Sequence, residues 1–369
     1  MGLTTTAEQQ AFQSVKRVCY AGLDSVTLRA EIARRVERVV PSDENHFWTL
    51  DPETGLITHG VAHNPSPRLL VEFLGRHYPD DEAVQVIDQA RAGAVIKSGE
   101  AVDGLEQTLC DVGIRYHMRA LFFTPEAYWG SWCILRGGTT RFTDREARFL
   151  ERIAPHVSEG LKSAALLELS SRESETGEAA DLPVAPAPAA APAFLVLGPR
   201  GEVALRTPAA GSYLEDLGSD GTDGADPLPF AVLSVRGRLL RLRRLADDAP
   251  AAARLRARGN SGTWYALHAT SSEPDASGLS STVISIEPAA RREVAPLLFR
   301  LYGLSPRERE VLLWVVRGEP TKRIAWHLGL SVHTVQDYLD KACEKVGVRG
   351  RKALVAKLFR DGFAPELCA

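Results

Sequence analysis

The sequence has no apolar run approaching the roughly 18 residues that cross a bilayer, and its opening MGLTTTAEQQAFQSVKRV lacks the charged-then-apolar order of a secretion signal. These two absences exclude the membrane-spanning and exported classes, so a cytoplasmic chain with no membrane partner is expected. Cysteine is sparse as well. Cys19, Cys110, Cys133, Cys343 and Cys368 are odd in number and scattered, with no CxxC pair. That excludes a zinc site or disulfide framework and fits free thiols in a reducing compartment. No metal or cofactor is expected, because a lone His63 or His117 without a supporting motif reads as a satisfied polar side chain rather than a haem ligand.

What is present is enough for several cores: 369 residues, 44% of them apolar, set a prior of two or three domains. The net charge of −3 conceals an asymmetry, since residues 300–360 hold 13 Lys and Arg against 6 Asp and Glu, or +7, leaving 31 against 41, or −10, elsewhere. A basic end on an acidic body points to a polyanionic partner for that end alone.

The clearest boundary is SSRESETGEAADLPVAPAPAAAPA, residues 170–193, whose Ala/Pro repetition builds no core and reads as a semi-rigid linker. Before it, NHFWTLDPETGLITHGV is a hairpin signature around Asp51–Gly55, SPRLLVEFLGRHY has a helical pattern, and YHMRALFFTPEAYWGSWCILRGG is a second strand pair. A long helix capped by Thr143 closes this segment, which makes residues 1–169 an α+β domain. After the linker, AFLVLGPRGEVALRT is strand, turn and strand, PAAGSYLEDL is a short helical pattern, and GTWYALHAT and STVISIEP are strands. Residues 194–287 are thus a second α+β domain, with Gly211–Asp226 expected as a polar loop. A connecting helix spans 288–303.

In LSPREREVLLWVVRGE, Ser305 as N-cap, Pro306 at the first helical position and Glu308 at the third predict a helix ending before Gly318. Thr321 is expected to cap a second helix ended by a left-handed Gly329, and Ser331 a third. On that third helix Leu339, Ala342 and Val346 lie within about 40° of Val335, a core stripe. Two helices joined by a short glycine turn make either a helix-turn-helix or an ordinary helical hairpin.

Residues beyond the spacing decide between them. Leu304, Pro306, Arg307, Glu308, Glu310, Val311, Leu312, Gly318, Ile324, Ala325, Leu328, Ser331, Thr334, Val335, Leu339, Lys345, Gly347, Val348 and Arg351 stand where the LuxR-type (GerE-like) DNA-binding domain has residues of their type. Residues 304–361 therefore resemble that domain along its whole length. The resemblance implies an all-α, four-helix unit with Ser331–Val346 as recognition helix in the major groove of double-stranded DNA. Its last helix has an apolar edge of Leu354, Val355 and Leu358 that serves either a homodimer or the core.

The first segment is similar to GAF domains and the second to PAS domains, an arrangement associated with actinobacterial regulators. Nothing near the N-terminus resembles the acidic metal pocket of a phospho-receiver. The family likeness implies a transcription regulator and not an enzyme, with a small-molecule or protein signal, and a dimer or a partner such as RNA polymerase is expected to bring binding to useful occupancy. Trp48, His117, Phe122, Trp132 and Cys133 are candidates for the effector pocket, with plain core packing as the alternative. Two other readings remain: a thiol reductase using Cys110 and Cys133, and a protein-interaction adaptor whose helix-turn-helix no longer holds DNA.

The adaptor reading draws on the outward face of the third helix. At about 100° per residue from the core stripe, Gln336 lies near 100°, Asp340 near 140°, His333 near 160°, Glu344 near 180° and Asp337 near 200°. The base-contacting positions of the family correspond to Gln336, Asp337 and Asp340, with His333 on the same face, and the family commonly has lysine where Asp340 stands. Phosphate contacts are expected from Lys322, Thr334, Tyr338, Lys341, Lys345, Arg349 and Arg351.

Overall fold

The computed structural model describes residues 6–66, 95–98, 106–125, 127–170, 193–218, 228–245, 252–274, 278–289 and 291–360. The linker expected over 170–193 lies, from 171 to 192, outside the described residues, as does most of the SPRLLVEFLGRHY pattern. The chain divides into two units, the first carrying two sheets and reaching Pro288, the second beginning at Ala289.

The first unit starts with helices α1 (Thr6–Cys19) and α2 (Ser25–Val36), the latter capped by Asp24, which accepts from the Val26 and Thr27 amides. Strands β1 (Glu44–Leu50) and β2 (Ile57–His63) pair antiparallel as the hairpin pattern predicts. Their turn closes on Gly55, which donates to the Asp51 carbonyl at a φ of 69°. Then come β3 (Val95–Ser98), helix α3 (Glu106–Asp111), β4 (Ile114–Thr124), β5 (Ala127–Gly137) and the long α4 (Asp144–Ser170). Thr143 does cap α4, exchanging bonds with Glu146.

The second sheet is built from β6 (Ala193–Leu197), β7 (Val203–Arg206), β8 (Ala252–Arg258), β9 (Trp264–Ser271) and β10 (Thr282–Pro288), with helices α5 (Pro208–Leu217) and α6 (Phe230–Leu245). The orders are β2-β1-β5-β4-β3 and β7-β6-β10-β9-β8, so the two sheets wind alike.

Three features depart from the sequence pattern. The loop expected over Gly211–Asp226 is corrected as far as Leu217: Thr207 caps α5, Pro208 opens it, and burial of Ala210, Leu214 and Leu217 outweighs the glycine. Helix α6 and strand β8 escaped notice because arginines interrupt their apolar periodicity. Both are buried by tertiary contacts. Val232, Val235 and Leu239 of α6 cover the second sheet, while Phe230 packs edge-on to Trp48 of β1 with ring centroids 4.8 Å apart. Gly60 of β2 makes room for this contact, since a Cβ there would lie 2.6 Å from the Trp48 ring and 2.9 Å from Phe230. Arg256 of β8 bonds Asp51 at 2.7 Å and Glu53 at 2.7 Å, fastening the second sheet to the β1–β2 turn.

The second unit is helical: α7 (Arg291–Leu301), α8 (Pro306–Val316), α9 (Thr321–Leu328), α10 (Val332–Val346) and α11 (Arg351–Arg360). Its core joins Leu304, Val311, Leu312, Val315, Ile324, Val335, Leu339, Val346, Leu354 and Leu358. The capping box at Ser305 and Glu308 is present in both directions. Thr321, expected as a cap, is instead the first helical residue, preceded by Pro320 with no side-chain cap bond. Leu354 and Leu358 are fully buried in this core, and Val355 is half-buried.

Candidate nucleic-acid interface

Helix α9 ends on Gly329 at φ 63°, ψ 35°, the left-handed conformation that a side chain resists. The Ser331 hydroxyl then accepts from the Thr334 amide at 3.0 Å and starts α10. Three residues therefore reverse the chain between α9 and α10. Burial of Val335, Leu339, Ala342, Cys343 and Val346 fixes the rotation of α10 about its axis. As a consequence His333, Gln336, Asp337, Asp340 and Glu344 are exposed together.

Within that face the side chains are not independent. Gln336 Nε2 donates to Asp340 Oδ1 at 3.0 Å, one turn further on. His333 Nδ1 lies 3.8 Å from Asp337 Oδ1.

The expected phosphate contacts fall into two groups. Lys322, Lys341 and Arg349 are exposed, Lys341 Nζ lying 6.0 Å from the ring of half-buried Tyr338, and Thr334 shares a 2.8 Å hydrogen bond with Ser331. Lys345 and Arg351 are engaged by protein oxygens. Lys345 Nζ donates to the Gly303 carbonyl at 2.9 Å and to Glu308 at 2.7 Å, tying α10 to the start of α8. Burial pushes the Glu308 carboxyl up, but the Lys345 ammonium and the Ser305 bonds outweigh it and hold the group below the usual carboxylate range. Arg351 donates to the Glu319 carbonyl at 2.5 Å.

The sequence reading did not single out Trp326 on α9, which is 79% exposed. Beside it His327 stacks on Trp314 at 4.1 Å, and the Arg317 guanidinium lies 4.8 Å above the Trp314 ring. The available signal was an aromatic off the Ile324, Ala325 and Leu328 stripe.

In the first unit, four of the pocket candidates divide between the two faces of the first sheet. Phe47 takes Phe122 and Trp132 as neighbours, each at 5.1 Å, and Trp132 donates to Asn45 at 3.1 Å. Strand alternation puts Trp48 on the opposite face, where His46 stacks on it at 5.2 Å and Cys133 pairs in register with His46. His117 is half-buried in β4, paired with Ser98 of β3. Of the two thiols weighed for redox chemistry, Cys110 is exposed at α3 and Cys133 is half-buried in β5. Among the described residues no group of three or more His, Cys, Asp or Glu could hold a metal ion, and no helix is long and apolar enough to cross a membrane.

A family model described as bacterial regulatory proteins, luxR family, matches residues 303–358. The spore germination protein GerE of Bacillus subtilis is 42% identical over 59 residues, which cover 16% of this chain and 80% of that protein. The transcriptional regulatory protein FixJ of Azorhizobium caulinodans is 40% identical over 76 residues, 21% of this chain and 35% of that one. The phycoerythrobilin-bound GAF domain of a cyanobacterial phytochrome aligns at 13% identity over 45% of this chain and 98% of its own, with a TM-score of 0.33. A bacteriophytochrome from R. palustris aligns at 12% identity over 78% and 63% respectively, with a TM-score of 0.39.

Proposed function

Since the chain belongs to the luxR family of bacterial regulatory proteins, we propose that it is a DNA-binding transcriptional regulator whose sheet unit senses a signal and controls the helical unit. The observation that carries this reading is the α9–Gly329–α10 arrangement, which buries one stripe of α10 and leaves its polar face exposed, as a helix that enters a major groove requires. In this reading Gln336, Asp337, Asp340 and His333 face base edges. Lys322, Lys341 and Arg349 supply phosphate contacts, with Thr334 and Tyr338 beside them. Lys345 and Arg351 hold the fold and reach phosphate only if their protein oxygens release them.

The like winding of the two sheets supports GAF-like residues 1–169 and PAS-like residues 194–287 as paired sensor domains. A small-molecule or protein signal acts there, and a homodimer on two half-sites, or a polymerase contact, raises occupancy of the DNA. The acids on α10 favour one other reading, a protein adaptor without DNA.

Binding-site selection from random duplexes with the full-length protein, followed by titration against salt, separates the two. The regulator reading expects an enriched motif and an affinity that falls steeply with salt. Lys322→Ala or Arg349→Ala then weakens every sequence alike and reduces the salt slope by about one. Absence of any salt-dependent DNA binding leaves the adaptor.

A further inference from the structure

We infer that Asp340 is a positioning residue for Gln336, and that the pair reads an amino-bearing base, adenine or cytosine. The inference rests on the DNA-binding reading above.

An exposed glutamine amide ordinarily turns freely and presents oxygen or nitrogen to a base with equal ease. Here Gln336 Nε2 bonds the Asp340 carboxylate at 3.0 Å. The reversed amide would put its oxygen against that carboxylate, acceptor facing acceptor, so one orientation is strongly preferred. With nitrogen turned toward Asp340, Oε1 points the other way. Around it the face offers Asp337 and Glu344, whose carboxylates also only accept. His333, the other donor on the face, has its Nδ1 edge toward Asp337.

In the major groove adenine N6 and cytosine N4 donate, whereas guanine and thymine present acceptors at O6, N7 and O4. A face on which acceptors predominate, with the Gln336 oxygen held among them, therefore discriminates for the amino bases. The same arrangement gives Asp340 a use: its charge weakens attraction to phosphate while its hydrogen bond makes Gln336 selective.

The test is a double-mutant cycle on the motif selected by the full-length protein, using Gln336→Ala, Asp340→Ala and the double variant. Each single variant is expected to lose about tenfold of discrimination at the same base pair, and the double variant no more than either. Asp340→Ala is also expected to bind unrelated duplexes more tightly, so affinity rises while selectivity falls.

Duplexes containing purine for adenine or 2-pyrimidinone for cytosine at that position, each lacking the amino group, lose the same preference. Replacing guanine by 7-deazaguanine leaves binding unchanged. Independent effects of the two variants at different base pairs overturn the inference, as does indifference to the missing amino group, and both leave DNA binding standing. Failure to select any motif removes the DNA-binding reading itself.

Discussion

Charged side chains are placed in opposite ways in the two units. In the sheet unit Arg256 and Asp51 are almost completely withdrawn from water, their side chains 8% and 1% exposed, and they bond each other between elements 205 residues apart in sequence. In the helical unit the charges of α10 stand in solvent, and even Lys345, whose side chain is 38% exposed, only reaches the buried Glu308 to hold α10 against α8. A buried pair in low dielectric fixes how elements meet and is costly to break. An exposed set contributes little to stability and is free to meet a partner. The contrast separates charge that builds the fold from charge available for recognition.

The sharpest way to break the comparison is Arg256→Ala, which leaves Asp51 buried without its cation. A loss of about 3–5 kcal/mol is expected in the denaturant unfolding of the sheet unit. Little change would show that water reaches the pair.

His59 of β2 offers the next effect. Burial and the charges of Arg29 and Arg258 depress its imidazole to about 4, from an ordinary 6.5. The unfolded chain then binds the proton more readily, so stability is full above about 6.5 and falls as pH drops toward 4. Unfolding midpoints measured across that window should flatten in His59→Gln.

On the exposed side, Asp340→Lys should leave the melting temperature within a degree or two while tightening binding to every duplex. The salt dependence should steepen by about one phosphate contact. A large stability change there would erase the distinction between the units.

Smallest is Ser305→Ala, which removes a cap of α8 and should cost about 1 kcal/mol in the helical unit with base preference unchanged.

The helical unit was legible because its signals are local. Ser305, Pro306 and Glu308 lie within four residues, and Gly329 and Ser331 within three, so caps, turn and core stripe could be read without knowing any distant partner. Thr321 misled because a hydroxyl before an apolar stripe looks like a cap, and Pro320 already supplies the extended residue that begins α9. The sheet unit was legible at its hairpins, at the Thr143 cap of α4 and at the β-branched runs of β9 and β10. Helix α6 and strand β8 were hidden, their arginines obscuring the apolar period in a short window. The pocket candidates divided between two faces because no local pattern says which side of β1 its neighbours will cover.

The amino-acid sequence alone determined the ends of the two helices, the turn between them, the rotation of the second and the residues of its outer face, because helix periodicity and capping act over a few residues, while the choice of helix-turn-helix over an ordinary hairpin came from the family resemblance. Only the tertiary structure decided that Lys345 is drawn to Glu308 and that Asp51 waits 205 residues for Arg256. Those outcomes depend on side-chain orientation and on which distant surfaces exclude water together, and neither is written in a stretch short enough to read.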